Sequence, residues 1–205
     1  MSKSKEKVKA RFFERLSAFI IDMLIVLVVS SLLSYPFTSS VSKENQEKLT
    51  TETQQIIDDY TNQKIDTKTY FAKASDISYD VARENGLSTI ISIFVSCLYF
   101  IVFQFMNDGQ TFGKKLFKIK VIKQSDEELT LNDMMFRSFI ANSIIFDIML
   151  LCITLFTGKD IYLYSVYIIQ FIQYVIMFVS AIMILSRKDR KSIHDIIAKT
   201  EVVIA

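Results

Sequence analysis

The stretch Leu16-Ser-Ala-Phe-Ile-Ile-Asp22-Met-Leu-Ile-Val-Leu-Val-Val-Ser-Ser-Leu-Leu-Ser-Tyr-Pro36-Phe37 decides the fold. It carries a single charged residue, Asp22. A helix needs about 20 mostly apolar residues to cross ~30 Å of hydrocarbon, and this run has that length. The apolar region of a signal peptide is shorter, roughly 7–15 residues, and ends at a small-residue cleavage site. No such site follows Phe37, so the run reads as a retained span. Three further runs have the same character: 88–106 without charge, 138–156 with Asp147 inside, and 162–185 without charge. The sequence therefore predicts an all-α membrane protein with four transmembrane helices in a single domain, 1–205.

Composition agrees. The chain has 205 residues, 51% of them hydrophobic, with four glycines, one proline and no tryptophan. Its mean hydropathy is +0.31. Disordered, collagen-like and disulfide-scaffold classes are excluded. The two cysteines, Cys97 and Cys152, fall inside apolar runs and read as packed thiols.

The charges lie between the runs and are unevenly divided. Residues 1–15, the 107–137 loop and the 187–205 tail together hold seventeen of the 24 Lys and Arg. The 39–87 loop is net acidic. The positive-inside rule then places both termini and the 107–137 loop in the cytoplasm. The overall +2 is too small for a nucleic-acid partner. Its one-sided placement suits the anionic inner leaflet of a lipid bilayer.

The 39–87 segment has no proline and a single glycine, Gly86. Leu49, Thr53, Ile56, Ile57 and Tyr60 are spaced for one helix face, and Tyr70, Phe71, Ala74 and Ile77 for a second. A two-helix extracytoplasmic cap is expected. In the 107–137 loop, Asn107-Asp108-Gly109 signals a turn. Residues 117–123 alternate apolar and basic, as a half-buried strand or a surface-lying amphipathic segment does. Thr130 with Asp133 marks a helix start at Leu131 that runs into the third span. In the tail, 192–199 reads as a short helix with Ile193, Ile196 and Ile197 inward, and 200–204 as a strand able to pair with 117–123.

Three stretches carry a resemblance. They are Arg15-Leu-Ser-Ala-Phe-Ile-Ile-Asp22, then Gly109-Gln-Thr-Phe-Gly113-Lys114-Lys115, then Arg190-Lys-Ser-Ile-His194-Asp195. In this order around hydrophobic spans, they resemble the RDD family of bacterial membrane proteins, named for one arginine and two aspartates. By position these are Arg15, Asp22 and Asp195. The resemblance covers nearly the whole chain outside 39–87. It implies a bacterial cell-membrane location and a transport role, with sodium/proton exchange associated with some members.

Polar groups inside the spans supply the candidate site. A charged group near the centre of a span costs at least ~2.5–3.5 kcal/mol on insertion scales and usually faces the bundle interior. Asp22 and Asp147 are such groups. Asn142, Gln170 and Gln173 add neutral oxygen donors. Together the five would offer hard ligands to Na⁺ or another monovalent cation, and a buried carboxylate can trade that cation for a proton. Asp22 lies two turns from Arg15 on the same helix face, about 10 Å along the axis, too far for direct contact. The competing reading is structural, with Arg15 and Asp195 pairing to lock the tail onto the first helix.

The Gly109–Lys115 spacing does not fit a phosphate-binding P-loop. It reads as a tight surface turn with Lys114 and Lys115 on lipid headgroups. His194 is the only histidine and lacks the partners of a zinc site. No metal, cofactor or catalytic group is expected. Ser88, Ser92 and Ser96 form an i, i+4 stripe suited to close helix packing, within the monomer or in a homodimer. The spans read as unbroken and show no inverted repeat. That points to the alternative function, a non-transporting subunit, sensor or scaffold that binds a partner protein.

Overall fold

The computed structural model describes residues 8–38, 42–125 and 127–205. In chain order the elements are α1 (Phe12–Thr38), α2 (Ser42–Thr61), α3 (Thr67–Glu84) and α4 (Gly86–Met106), followed by α5 (Phe112–Leu116) and β1 (Ile119–Lys123). Then come α6 (Leu131–Ala141), α7 (Ile144–Phe156), α8 (Lys159–Ser186), α9 (Ile193–Ile197) and β2 (Thr200–Ile204). It is an all-α membrane fold, and among the described residues it carries one small sheet. Among the described residues, three helices are long and apolar enough to cross a membrane. They are α1 over Phe12–Phe37, α4, and α8 over Ile161–Ser186.

The third expected span is different. It is not one helix from Leu131 through 156 but two, α6 and α7, bent by 67°. The cause is local. Asn142 caps α6, and Ser143 adopts a left-handed φ of 61°, where an L-residue cannot continue a right-handed helix. The expectation of unbroken spans is therefore overturned here.

The described residues form two compact units. The first comprises the chain up to Val29, Ile93–Ile145 and Ile172–Ala205. Its core packs Ala10, Ala18, Ile101, Ile119, Val121, Met134 and Val202, with Cys97, Phe117, Leu129 and Met135 around them. The expected strand pairing is present: β1 runs antiparallel to β2 with Val121 opposite Val202. The N-terminal segment extends this sheet, since Ala10 N donates to Val202 O and Ile204 N to Val8 O. Thr130 and Asp133 form a reciprocal capping box at the start of α6, as their spacing predicts. Ile196 and Ile197 are exposed rather than inward, because Ser192, Asp195, Ala198 and Thr200 take the buried positions of the tail.

The second unit comprises Ser30–Ser92 and Phe146–Phe171. Here α2 and α3 form the expected helical hairpin, with Asp66 capping α3. The buried face of α3 is Ser75 and Tyr79, one turn apart, rather than the Tyr70–Ile77 set. Ser75 Oγ donates to Lys159 O at 2.8 Å, Tyr79 OH to Thr157 O at 3.3 Å, and Lys159 pairs with Asp80 at 2.6 Å. Tyr79 also meets Tyr162 edge-on at 5.4 Å. Cys152 is exposed on α7, against the expectation of a packed thiol.

Candidate functional site

Asp22 is 1% exposed and is the acceptor around which the first unit is tied. Its Oδ1 accepts from Tyr99 OH at 2.6 Å and from Gly113 N–H at 2.8 Å. Its Oδ2 accepts from Thr111 Oγ1 and lies 3.9 Å from Lys114 Nζ. A carboxylate offers only acceptor sites, about four of them, and all its neighbours here are donors.

Local sequence explains how they arrive. Between Leu98 and Phe103, α4 is π-helical, and Gln104 N reaches back to Tyr99 O. The widened turn carries Tyr99 onto the face that meets α1. Single π-turns of this kind occur frequently at functional sites. After Met106 the chain doubles back: Gly109 N donates to Gln104 O, and Val121 N donates to Gly109 O. Gly109 has φ +77°, and a Cβ there would lie 2.1 Å from Val121 O, so only glycine fits. Thr111 caps α5 by accepting from Lys114 N. At Gly113 a Cβ would lie 2.3 Å from Ala18 O. Glycine there allows the α5 backbone to touch α1.

Lys114 faces inward. Its Nζ sits 3.4 Å from both Thr111 Oγ1 and Gln104 Oε1, besides Asp22. The headgroup position expected for it is therefore wrong. Lys115 is the exposed lysine of the pair, held by Asn107 Oδ1 at 2.9 Å. The ammonium of Lys114 occupies an oxygen nest made by a carboxylate, a hydroxyl and an amide.

Asp195 is 0% exposed and centres a second cluster. It accepts from Arg15 Nη1 at 2.7 Å, from Arg137 Nη1 and from its own N-cap, Ser192 N, at 2.9 Å. Arg137 also donates to Thr200 Oγ1 at 2.9 Å, and Arg15 Nη2 to Val202 O at 3.4 Å. The tail is thus clamped onto α1 and α6, as the Arg15–Asp195 pairing predicts. Burial pushes the Asp195 carboxyl up, and the two guanidiniums outweigh it, holding the group well below the usual carboxylate range. Burial, helped by Arg137, pushes the neighbouring His194 down to about 3, so it is neutral.

The other expected ligands divide between the two units: Asn142 and Gln173 lie in the first with Asp22, and Asp147 and Gln170 in the second. Asn142 caps α6, Asp147 is in the first turn of α7, and Gln170 and Gln173 are half-buried on α8. Within the first unit, neither Asn142 nor Gln173 hydrogen-bonds to Asp22 among the described residues. Sequence reasoning did not single out Tyr99, Gln104 or Thr111. Thr111 had a signal, a hydroxyl three residues ahead of Lys114 at a helix start. Tyr99 and Gln104 had none, because both depend on the π-turn. No group of three or more metal-binding side chains occurs among the described residues.

A model of the RDD family matches residues 9–199. No curated protein and no solved structure matches the chain.

Proposed function

The chain belongs to the RDD family, and from that premise we propose that it is a transport protein of the cell membrane that exchanges a monovalent cation for a proton at Asp22. The observation that carries this reading is the Lys114 ammonium lodged among Asp22 Oδ2, Thr111 Oγ1 and Gln104 Oε1. Such oxygens suit a hard cation. A free cation entering the nest displaces the tethered one, and the lysine's return expels it. The buried carboxylate carries cation and proton in alternation. The concentration of Lys and Arg on one side supports placing both termini in the cytoplasm.

The test is cation-driven proton movement in proteoliposomes with an internal pH dye and Na⁺, K⁺ or Li⁺ outside. Asp22→Asn and Lys114→Met run beside the wild type. A cation-dependent signal that both variants lose, while remaining folded, supports exchange at this pair. Silence of folded wild-type protein with all three ions overturns it.

One observation favours the second reading, a membrane subunit with a partner span. Along α8, Tyr164, Tyr167, Phe171, Tyr174 and Phe178 are all exposed. Their 3-4-3-4 spacing is that of a helix-packing seam, which a second copy of the chain or another membrane protein would cover. Cross-linking of cysteines placed on this seam, in membranes, distinguishes the two.

A further inference from the structure

The loop after α4 is bonded to side chains that lie well inside the apolar runs of α1 and α4. Tyr99 stands seven residues before the end of α4, about 10 Å along a helix. Asp22 stands six residues past Leu16, where the apolar run of α1 begins. Both belong to apolar membrane-spanning helices. Yet the backbone of 112–113 is bonded to these two side chains: Phe112 N–H donates to Tyr99 Oη at 3.1 Å and Gly113 N–H to Asp22 Oδ1 at 2.8 Å. The ring of Phe112 stacks on Phe103 at 4.9 Å, one turn inside the end of α4. The chain has therefore turned back toward the apolar zone.

The hydrogen bonds of α5 fit that location. A surface turn can leave its first N–H groups to water. In hydrocarbon every one needs a protein acceptor. Here Phe112 N goes to Tyr99, Gly113 N to Asp22, Lys114 N to Thr111 Oγ1, and Lys115 N to Thr111 O. Two of the four acceptors are side chains of the spans themselves. The opposite face is apolar: Phe112 is 54% exposed and Leu116, one turn on, 65% exposed. Lys115 and Lys118, both exposed, flank that face.

We propose that residues 107–118 form a shallow re-entrant loop, with Phe112 and Leu116 in contact with lipid acyl chains and Lys115 and Lys118 reaching back to anionic headgroups. The occupant is lipid because the face continues the aromatic surface of α4, where Phe112 stacks on Phe103, and is flanked by cations. On this account Asp22 is in the span because a backbone entering hydrocarbon must find an acceptor there.

The absence of tryptophan makes the test direct. Phe112→Trp and Leu116→Trp each create a sole tryptophan, and Glu128→Trp, exposed in the polar connection between β1 and α6, is the aqueous control. Each variant is reconstituted into phosphatidylcholine/phosphatidylglycerol vesicles, with or without bromine on the acyl chains. The two loop reporters should lose most of their emission to brominated lipid and little to acrylamide, with the control doing the reverse. Acrylamide quenching equal to the control overturns the proposal. So does a reporter shielded from both quenchers, which would mean that protein covers the face. If Phe112→Trp fails to fold, Leu116→Trp decides alone, since its side chain points out of the fold.

Discussion

Replacing Asp195 by asparagine should release the tail without unfolding the spans. The carboxylate serves Arg15 and Arg137 and caps α9 through Ser192 N. Asparagine keeps the shape, but its NH₂ group must face one of the donors, and the charge is gone. The two guanidiniums retain little exposure, with side chains 10% and 7% accessible. Removing one partner of a buried pair costs about 3–5 kcal/mol, because the charge left behind is uncompensated. At 1.4 kcal/mol per tenfold change, the open population of the tail should rise by roughly two to three and a half orders of magnitude. Hydrogen exchange in lipid nanodiscs reads this directly. Amides of β1 and β2 and the Ala10 N–H bonded to Val202 O should lose protection by that factor, while the amides of α8 keep theirs. Adding Arg137→Met should recover part of the loss, since it removes one stranded charge. Unchanged sheet protection in Asp195→Asn would refute the clamp. Equal loss in sheet and spans would show that the tail is not a separable unit.

Three further outcomes are expected. Asp195, with its folded value depressed, stabilises fully above the usual carboxylate range and adds no pH slope near neutrality. His194 is neutral in the fold and depressed from 6.5 to about 3, so the unfolded tail gains its proton first. Sheet protection should therefore decline as pH falls below about 6.5, and His194→Gln should flatten that decline in the same exchange measurement. Gly113→Ala should cost about 3 kcal/mol or more, combining ~1–3 for overpacking with the strained bond to charged Asp22. Faster proteolysis of the 107–118 loop in detergent reports it, and wild-type resistance would contradict the close approach to Ala18. Ser143→Gly should raise the thermal midpoint, because a left-handed non-glycine residue costs ~1–2 kcal/mol. A lower midpoint would show that the Ser143 side chain stabilises the break.

The spans were legible because the bilayer imposes length and apolarity on composition alone, and α1, α4 and α8 satisfy both. The Thr130–Asp133 cap was legible because its signal spans three residues. The β1–β2 pairing could be anticipated from alternation, and the Arg15–Asp195 pair from the family resemblance that singled out both residues. The break in the third span could not, since a left-handed Ser143 leaves no mark in an otherwise helical pattern. Lys114 was misplaced for a similar reason. Whether a lysine beside a glycine turn faces headgroups or a carboxylate depends on where the chain goes next, and here it doubles back. Tyr99 reaches Asp22 through a π-turn that ordinary helical spacing does not describe.

The three residues that name the family form two clamps on one helix. Arg15 and Asp22 lie two turns apart on α1, and each fastens a different connecting segment: Arg15 holds the tail through Asp195, and Asp22 holds the 109–114 loop through Gly113, Thr111 and Tyr99. An asparagine in place of Asp22 would turn an N–H toward at least one of the groups that converge on it, Tyr99, Thr111, Gly113 and Lys114. It follows that a transport defect in Asp22→Asn alone would not separate chemistry from assembly. Lys114 is the better discriminator. Its removal leaves the Tyr99, Thr111 and Gly113 bonds to Asp22 in place and empties only the oxygen nest. Loss of cation dependence on removing Lys114, with the loop still protected, would therefore locate function at the pair itself. Unaltered exchange would make Lys114 a counter-charge only and overturn the nest as the place of exchange.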